Sequence, residues 1–413
     1  MLAFRISILL GFILITPLPI SAQGQLPELT GRFGVGLRVF DWTDDSRLET
    51  QSGERDKKKR ELLVYLLYPV EKDAAGTRSE YFPHLREVEA FEEKFGKNFF
   101  RESYGSSYKT IASLKSHAIK DAPPAGRKEK FPILIFSHGG GIPVLCYTAI
   151  IENLVSHGYV VAAVEHSFDG GTVVFPDGRI ITQNGWDQDP TRTKDERSAF
   201  HAERHRAGSL DNQFVLNQLE QLNSGTLKGA PKQLRHRLDT NMVGALGHSL
   251  GGMISVVSGH DDKRFRICLD LDGGLDDGST YGTLSQPVVA MFGDNRRPQK
   301  PQETKEAFAK RRSSRDQFVK NLKAQYANAP KGSYFLLVDS PGFSHYSYYD
   351  FPNAQAEEAP WRATPEEWTR NQRIILDCTL TVVDAHLRIQ RPELFEDLQK
   401  RFPELKIEPI IDP

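Results

Sequence analysis

Gly247-His248-Ser249-Leu250-Gly251-Gly252 places a serine in a Gly-x-Ser-x-Gly setting. Before it runs the apolar stretch Met242–Leu246, and after it the small residues Met253–Ser258 read as a helix. The chemistry on offer is nucleophilic. A serine hydroxyl becomes useful when a tight turn lifts it clear and a base is brought to it, and flanking glycines let the backbone make that turn. A helix starting at the serine also aims its unpaired N–H groups and positive dipole end at the same spot. A glycine-rich loop that merely contains a serine would not need a strand before it and a helix after it.

Chain order narrows the base. In the elbow-type hydrolases the serine is followed by the acid and then the histidine. Of twelve histidines, His345 and His386 lie beyond both Ser249 and the strands able to carry an acid. His386 falls mid-helix in Thr381–Leu387, a poor place from which to swing an imidazole onto the turn. His345 closes the loop Ser340–His345 after the strand pattern Tyr334–Val338, and reactive groups collect on such loops. The acid has three candidates: Asp270 and Asp272 at the end of one strand, and Asp294 at the end of the next. Alternation puts the first two opposite Leu269 and Leu271, with Asp272 nearer the strand's end. The acid's task is to orient the imidazole and stabilise its charged form.

Two backbone donors are expected for the oxyanion. One is the N–H of Leu250, next to the nucleophile. The other comes from Ser137-His138-Gly139-Gly140-Gly141, where glycines leave the backbone open to substrate. Such a donor contributes about 3 kcal/mol in the transition state. No Lys-Ser/Thr pair follows these glycines, which argues against a phosphate loop. The acidic stretch to Asp277 loses the ligand alternation of a calcium loop at Gly273 and Gly274. Neither a metal nor a cofactor is expected.

These groups need a sheet to hold them. From Phe131 onward, buried strands and helices alternate: Pro132–Phe136, a helix over 145–156, Tyr159–Val164, a charged helix over Lys194–Leu222, the elbow strand, Arg266–Leu271, Pro287–Phe292 and Tyr334–Val338. Thr172–Phe175 and Arg179–Thr182 flank the turn Pro176-Asp177-Gly178 as a hairpin. The pattern predicts a mostly parallel sheet with helices on both faces. Upstream, Phe33–Phe40 and Glu61–Tyr68 read as antiparallel strands joined by a loop, Asp44–Lys59, whose charge predicts exposure, and a short helix is expected near Glu87–Phe95.

Residues 1–22 read as a signal peptide: Arg5, an apolar core Ile6–Ile15, then Pro17, Pro19 and small residues that favour cleavage after Ala22. Export, periplasmic or secreted, is therefore expected. The remainder, 23–413, reads as one α/β domain with a charged helical insertion at about 295–332 and a closing helix at about 365–389. Lys plus Arg number 53 against 54 Asp plus Glu, which gives no electrostatic case for nucleic acid. Cys146, Cys268 and Cys378 sit far apart in apolar segments and read as core thiols, with one disulfide left open.

The chain resembles the platelet-activating factor acetylhydrolases, the plasma and type II intracellular enzymes with their bacterial relatives. Phe131–Gly139, Ser156–His166, Gly247–Gly252 and the run from Arg264 to Asp272 carry the likeness, with weaker matches at Gly34–Gly36 and Tyr81-Phe82. The resemblance implies an α/β-hydrolase fold with Ser249 as nucleophile, Asp272 as acid in place of Asp294, His345 as base, and Gly140 and Leu250 as oxyanion donors. It implies hydrolysis of short or oxidised acyl esters of phospholipid-like substrates, with transient contact to a lipid surface. Gly273-Gly274 replaces bulkier residues that shape the acyl pocket in the plasma enzymes, so acyl length stays open, and the insertion near the rim is a candidate lid. A general carboxylesterase or polyester hydrolase of the dienelactone-hydrolase type is the alternative reading; a non-catalytic binding protein of the same fold is another, disfavoured by the intact triad.

Overall fold

Phe131–Ser137 (β5) and Val160–Glu165 (β6) bury every residue, as strands covered on both faces must. In a computed structural model, residues 26–52, 58–82, 114–182, 191–274, 284–293, 303–350, 363–388 and 393–410 are described. The expected leader, the short helix near Glu87–Phe95 and the candidate acid Asp294 lie outside them.

The strands before β5 are β1 (Gly34–Leu48), β2 (Lys59–Val70), β3 (Arg78–Glu80) and β4 (Lys115–Lys120). After β6 come the hairpin β7 (Thr172–Val174) and β8 (Ile180–Thr182), then β9 (Leu238–His248), β10 (Phe265–Leu271), β11 (Val288–Gly293), β12 (Tyr334–Val338) and β13 (Leu405–Pro409). One eleven-stranded sheet has the order β13-β12-β11-β10-β9-β5-β6-β2-β1-β4-β3, parallel from β12 through β6. Among the described residues the α-helices are α1 (Thr148–Ser156), α2 (Lys194–Ser224), α3 (Leu250–Asp261), α4 (Lys305–Gln325), α5 (Pro365–Leu387) and α6 (Glu393–Arg401).

Alternation sorts the core into two layers. Leu134 and Phe136 of β5 join Ile150 and Leu154 of α1 and Ile374 and Ile375 of α5 on one face. Ile133 and Ile135 meet Val215, Leu216 and Leu219 of α2 on the other. Gly208 lets α2 lie against Ile254 of α3. The capping boxes Thr193/Glu196 and Thr364/Glu367 start α2 and α5 close to the predicted positions. The segment read as an insertion carries α4 between the parallel neighbours β11 and β12, and Leu322 of α4 and Tyr326 just after it sit in the core. Cys146, Cys268 and Cys378 are free and buried.

One expectation fails. The stretch Asp44–Lys59 is not simply an exposed loop, because β1 runs on to Leu48 and Asp44, Glu49 and Gln51 are buried. Charge did not keep them out because each acid finds a partner: Arg47 binds Asp44 at 2.5 Å and Arg60 binds Glu49 at 2.8 Å. Both arginines also reach the buried Asp211 of α2, at 2.7 and 2.6 Å. Strands β3, β4 and β13 and helix α6 were not anticipated; they are short and carry mixed polar sequence.

Candidate active site

After β5 the chain passes to β6 on one side of it, and β9 adds on the other. The carboxyl ends of β5 and β9 therefore flank the point where strand order reverses, the usual ligand crevice of an open α/β sheet. Ser137 pairs with Gly247 across that boundary, so the Ser137–Gly141 loop and the Ser249 turn leave the sheet side by side.

Ser249 donates its N–H to Leu271 O at 2.9 Å, one last rung of the sheet, and then adopts φ 55° and ψ −119°. This backbone is strained for a residue with a side chain, and it projects the hydroxyl away from the strand. A Cβ on Gly251 would lie 2.0 Å from Ser137 O, and one on Gly247 2.4 Å from Gly251 O. The motif glycines are thus demanded by backbone packed on backbone.

Asp272 repeats the device one strand over. Its N–H bonds Met291 O at 2.9 Å, and its φ is then 54°. Its Oδ2 accepts from His345 Nδ1 at 2.8 Å, with the two side chains 12% and 39% exposed. Neighbouring Asp270 has another task. Fully buried, it accepts from the N–H of Gly273 at 2.8 Å and from the Tyr326 hydroxyl at 2.9 Å, and so braces the turn that presents Asp272. Burial pushes its carboxyl up to about 6 in spite of these donors.

His345 begins a short helical turn, His345–Tyr348, after β12. The loop is fixed by Gln372 of α5, which donates to Ser347 O at 2.6 Å, and by Tyr348, whose hydroxyl donates to Met291 O at 3.0 Å. The His345 ring lies 4.5 Å from that of His248, the residue before Ser249. Ser249 Oγ and the imidazole make no hydrogen bond here, a contact that commonly closes with substrate in place. His386 is inside α5, tied to Val382 O and Gly332 O and away from this chemistry.

The donor loop can be read by elimination. Gly139 N–H goes to the Tyr147 hydroxyl at 2.9 Å and Gly141 N–H to Asp169 O at 2.9 Å. Among the described residues Gly140 N–H and Leu250 N–H have no acceptor, and these are the two expected donors. Tyr147 also bonds His248 Nδ1 at 2.9 Å, joining the loop to the elbow. Burial, and then the nearby His345, hold the His248 imidazole well below its ordinary range, so it stays neutral. Among the described residues no group of three or more His, Cys, Asp or Glu could hold a metal ion.

Sequence reasoning did not find a second acid–histidine–serine chain behind this site. Asp211 Oδ2 lies 2.9 Å from His166 Nδ1, and His166 Nε2 lies 3.0 Å from Ser137 Oγ. All three residues are fully buried. His166 and Ser137 stood at the ends of the strands that carried the resemblance, but no local signal tied them to Asp211 on a distant helix.

The model of the family described as platelet-activating factor acetylhydrolase, isoform II, matches residues 18–325. The chain is 28% identical over 308 residues to the platelet-activating factor acetylhydrolase of Canis lupus familiaris, 68% of this chain and 63% of that one. It is 30% identical over 288 residues to the Bos taurus protein of that name, 64% and 59% of the two chains. A probable 1-alkyl-2-acetylglycerophosphocholine esterase of Arthroderma benhamiae is 28% identical over 260 residues, 60% and 59%. The matches thus span about three fifths of these relatives' own lengths. A solved ferulic acid esterase of Streptomyces cinnamoneus shares the fold, with a TM-score of 0.66 at 24% identity over 94% of this chain and 99% of that one.

Proposed function

The chain belongs to the platelet-activating factor acetylhydrolase isoform II family, and from that premise we propose that it is a serine esterase acting on short or oxidised acyl esters of phospholipid-like substrates. The observation that carries the catalytic reading is the Asp272–His345 hydrogen bond of 2.8 Å at the crevice where the Ser249 turn emerges. With Nδ1–H given to Asp272, His345 Nε2 has a lone pair for the Ser249 proton. Ser249 Oγ then bonds to the acyl carbon, and the carbonyl oxygen takes up negative charge facing the N–H groups of Gly140 and Leu250. The imidazolium returns its proton to the departing alcohol, leaving an acyl-serine. Water, activated by the same imidazole, releases the acid and restores the serine.

The signal-like residues 1–22 support export, with mature protein starting after Ala22. The family supports the phospholipid-like substrate. The test is a series of p-nitrophenyl esters of rising acyl length beside a phosphatidylcholine with a short acyl group at its second position, each with and without chelator. The expected result is turnover of both classes, falling with acyl length, unchanged by chelator and abolished in Ser249→Ala. Turnover of the nitrophenyl esters alone would make the protein a general carboxylesterase. No turnover by folded protein would make it a binding protein on this scaffold.

A further inference from the structure

The oxyanion N–H of Gly140 belongs to the same planar peptide as the carbonyl of Gly139, and in a trans peptide the two point in opposite directions. Whatever fixes the Gly139 oxygen therefore aims the Gly140 N–H. The oxygen is held by His138 Nδ1 at 2.7 Å, with a longer contact from Ile142 N–H at 3.3 Å. A carbonyl accepts only, so Nδ1 must carry the ring proton. The other nitrogen agrees: His138 Nε2 accepts the backbone N–H of His166 at 3.0 Å, which leaves no room for a proton there. The ring is fully buried, packed against Gly170, where a Cβ would come within 3.0 Å of Nε2.

We propose that His138 is a positioning residue of the oxyanion hole: by donating to Gly139 O in a locked tautomer, it turns the Gly140 N–H toward the acyl oxygen. This rests on the esterase reading above. The groups facing the ring are Glu165, with Oε2 3.6 Å from Nε2, and His166, with Arg60 and Asp211 behind them. Burial, then the neighbouring His166, push the imidazole down to about 3, so it keeps one proton through the working range. Tyr147 holds the preceding peptide by its N–H, so both sides of Gly139 are fixed.

The test compares His138→Gln, which loses a donor at the Nδ1 position, with His138→Asn, whose amide can replace it. Each is assayed on an ester and on the matching thionoester, whose sulfur makes poor use of an oxyanion hole. His138→Gln is expected to lose about a hundredfold in kcat with KM within about twofold, and to narrow the ester-to-thionoester ratio. His138→Asn is expected to recover most of both. Unchanged kcat in His138→Gln, or an equal fall on ester and thionoester, would overturn the proposal. Nitrogen NMR of the wild-type ring keeps the test open should a variant not fold: Nδ1–H that does not titrate from pH 5 to 9 is expected, and an Nε2–H ring would contradict it. Wild-type protein that hydrolyses no ester would instead remove the esterase reading.

Discussion

Two sets of Asp, His and Ser gather at the carboxyl end of β5, one of them taking Ser137 from that strand, and their residue types are identical. In one, Asp272 holds His345 at 2.8 Å beside the Ser249 turn, with the imidazole 39% exposed. In the other, Asp211 holds His166 at 2.9 Å and His166 reaches Ser137 Oγ at 3.0 Å, with no part of the three exposed. The buried chain is the more completely hydrogen-bonded of the two, since Asn212 Nδ2 also reaches Ser137 Oγ at 3.2 Å. Its serine sits in a regular strand, fully buried and without a positive φ. Ser249 has a positive φ and, beside it, two N–H groups without an acceptor among the described residues. Hydrogen bonding among the three residue types therefore does not make a nucleophile. On the proposed reading, access, a projecting turn and donors waiting for negative charge do, while the sealed set ties β5 to α2 through hydrogen bonds.

Mutating each acid separates the roles most sharply. Asp272→Asn is expected to lower kcat by about a thousand- to ten-thousandfold, because the imidazole takes the wrong tautomer, with the thermal midpoint little moved. Asp294→Asn should leave kcat intact. Asp211→Asn should do the reverse of Asp272→Asn. It leaves Arg60 and Arg47 against a neutral group, and chemical denaturation should show about 3–5 kcal/mol lost. Burial would raise the Asp211 carboxyl, but Arg60 and His166 outweigh it and hold it far below its ordinary range. Its contribution is thus fully present above about pH 4 and is lost as pH falls further.

A smaller effect is expected at the serines' hydroxyls. Ser137→Ala leaves His166 Nε2 without its partner and should cost about 1–3 kcal/mol in denaturation, while kcat stays within a few-fold of wild type. The smallest expected effect concerns Glu165, at the end of β6 beside His166. Burial pushes it up to about 8, partly opposed by the Val144 N–H. Between its unfolded value of about 4.3 and that figure the folded protein holds a proton that the unfolded chain releases, so stability declines as pH rises. Glu165→Gln keeps an acceptor for Val144 and should flatten the fall in thermal midpoint between pH 5 and 8.

Much of the exposed site was legible because its requirements are local. Glycines around Ser249 and an aspartate at the strand end announce turns, and chain order singles out His345. The division of labour between Asp270 and Asp272 was not legible from alternation, which put both on one face; it needed Tyr326, just after α4, and the fold-back of Gly273. The buried chain joins β5, β6 and α2, with its arginines drawn from β1 and β2, and such contacts between distant segments leave no periodic trace. The same blindness made Asp44–Lys59 look like a solvated loop, since a charge reads as exposed until its partner is known.

The contrast between the two serines is tested most directly by treating the folded protein with a fluorophosphonate ester and mapping the adduct by mass spectrometry of its peptides. The expected result is a single adduct on Ser249, absent in Ser249→Ala and unchanged in Ser137→Ala. An adduct on another residue, or none on protein that hydrolyses esters, would contradict the assignment of Ser249 as the nucleophile.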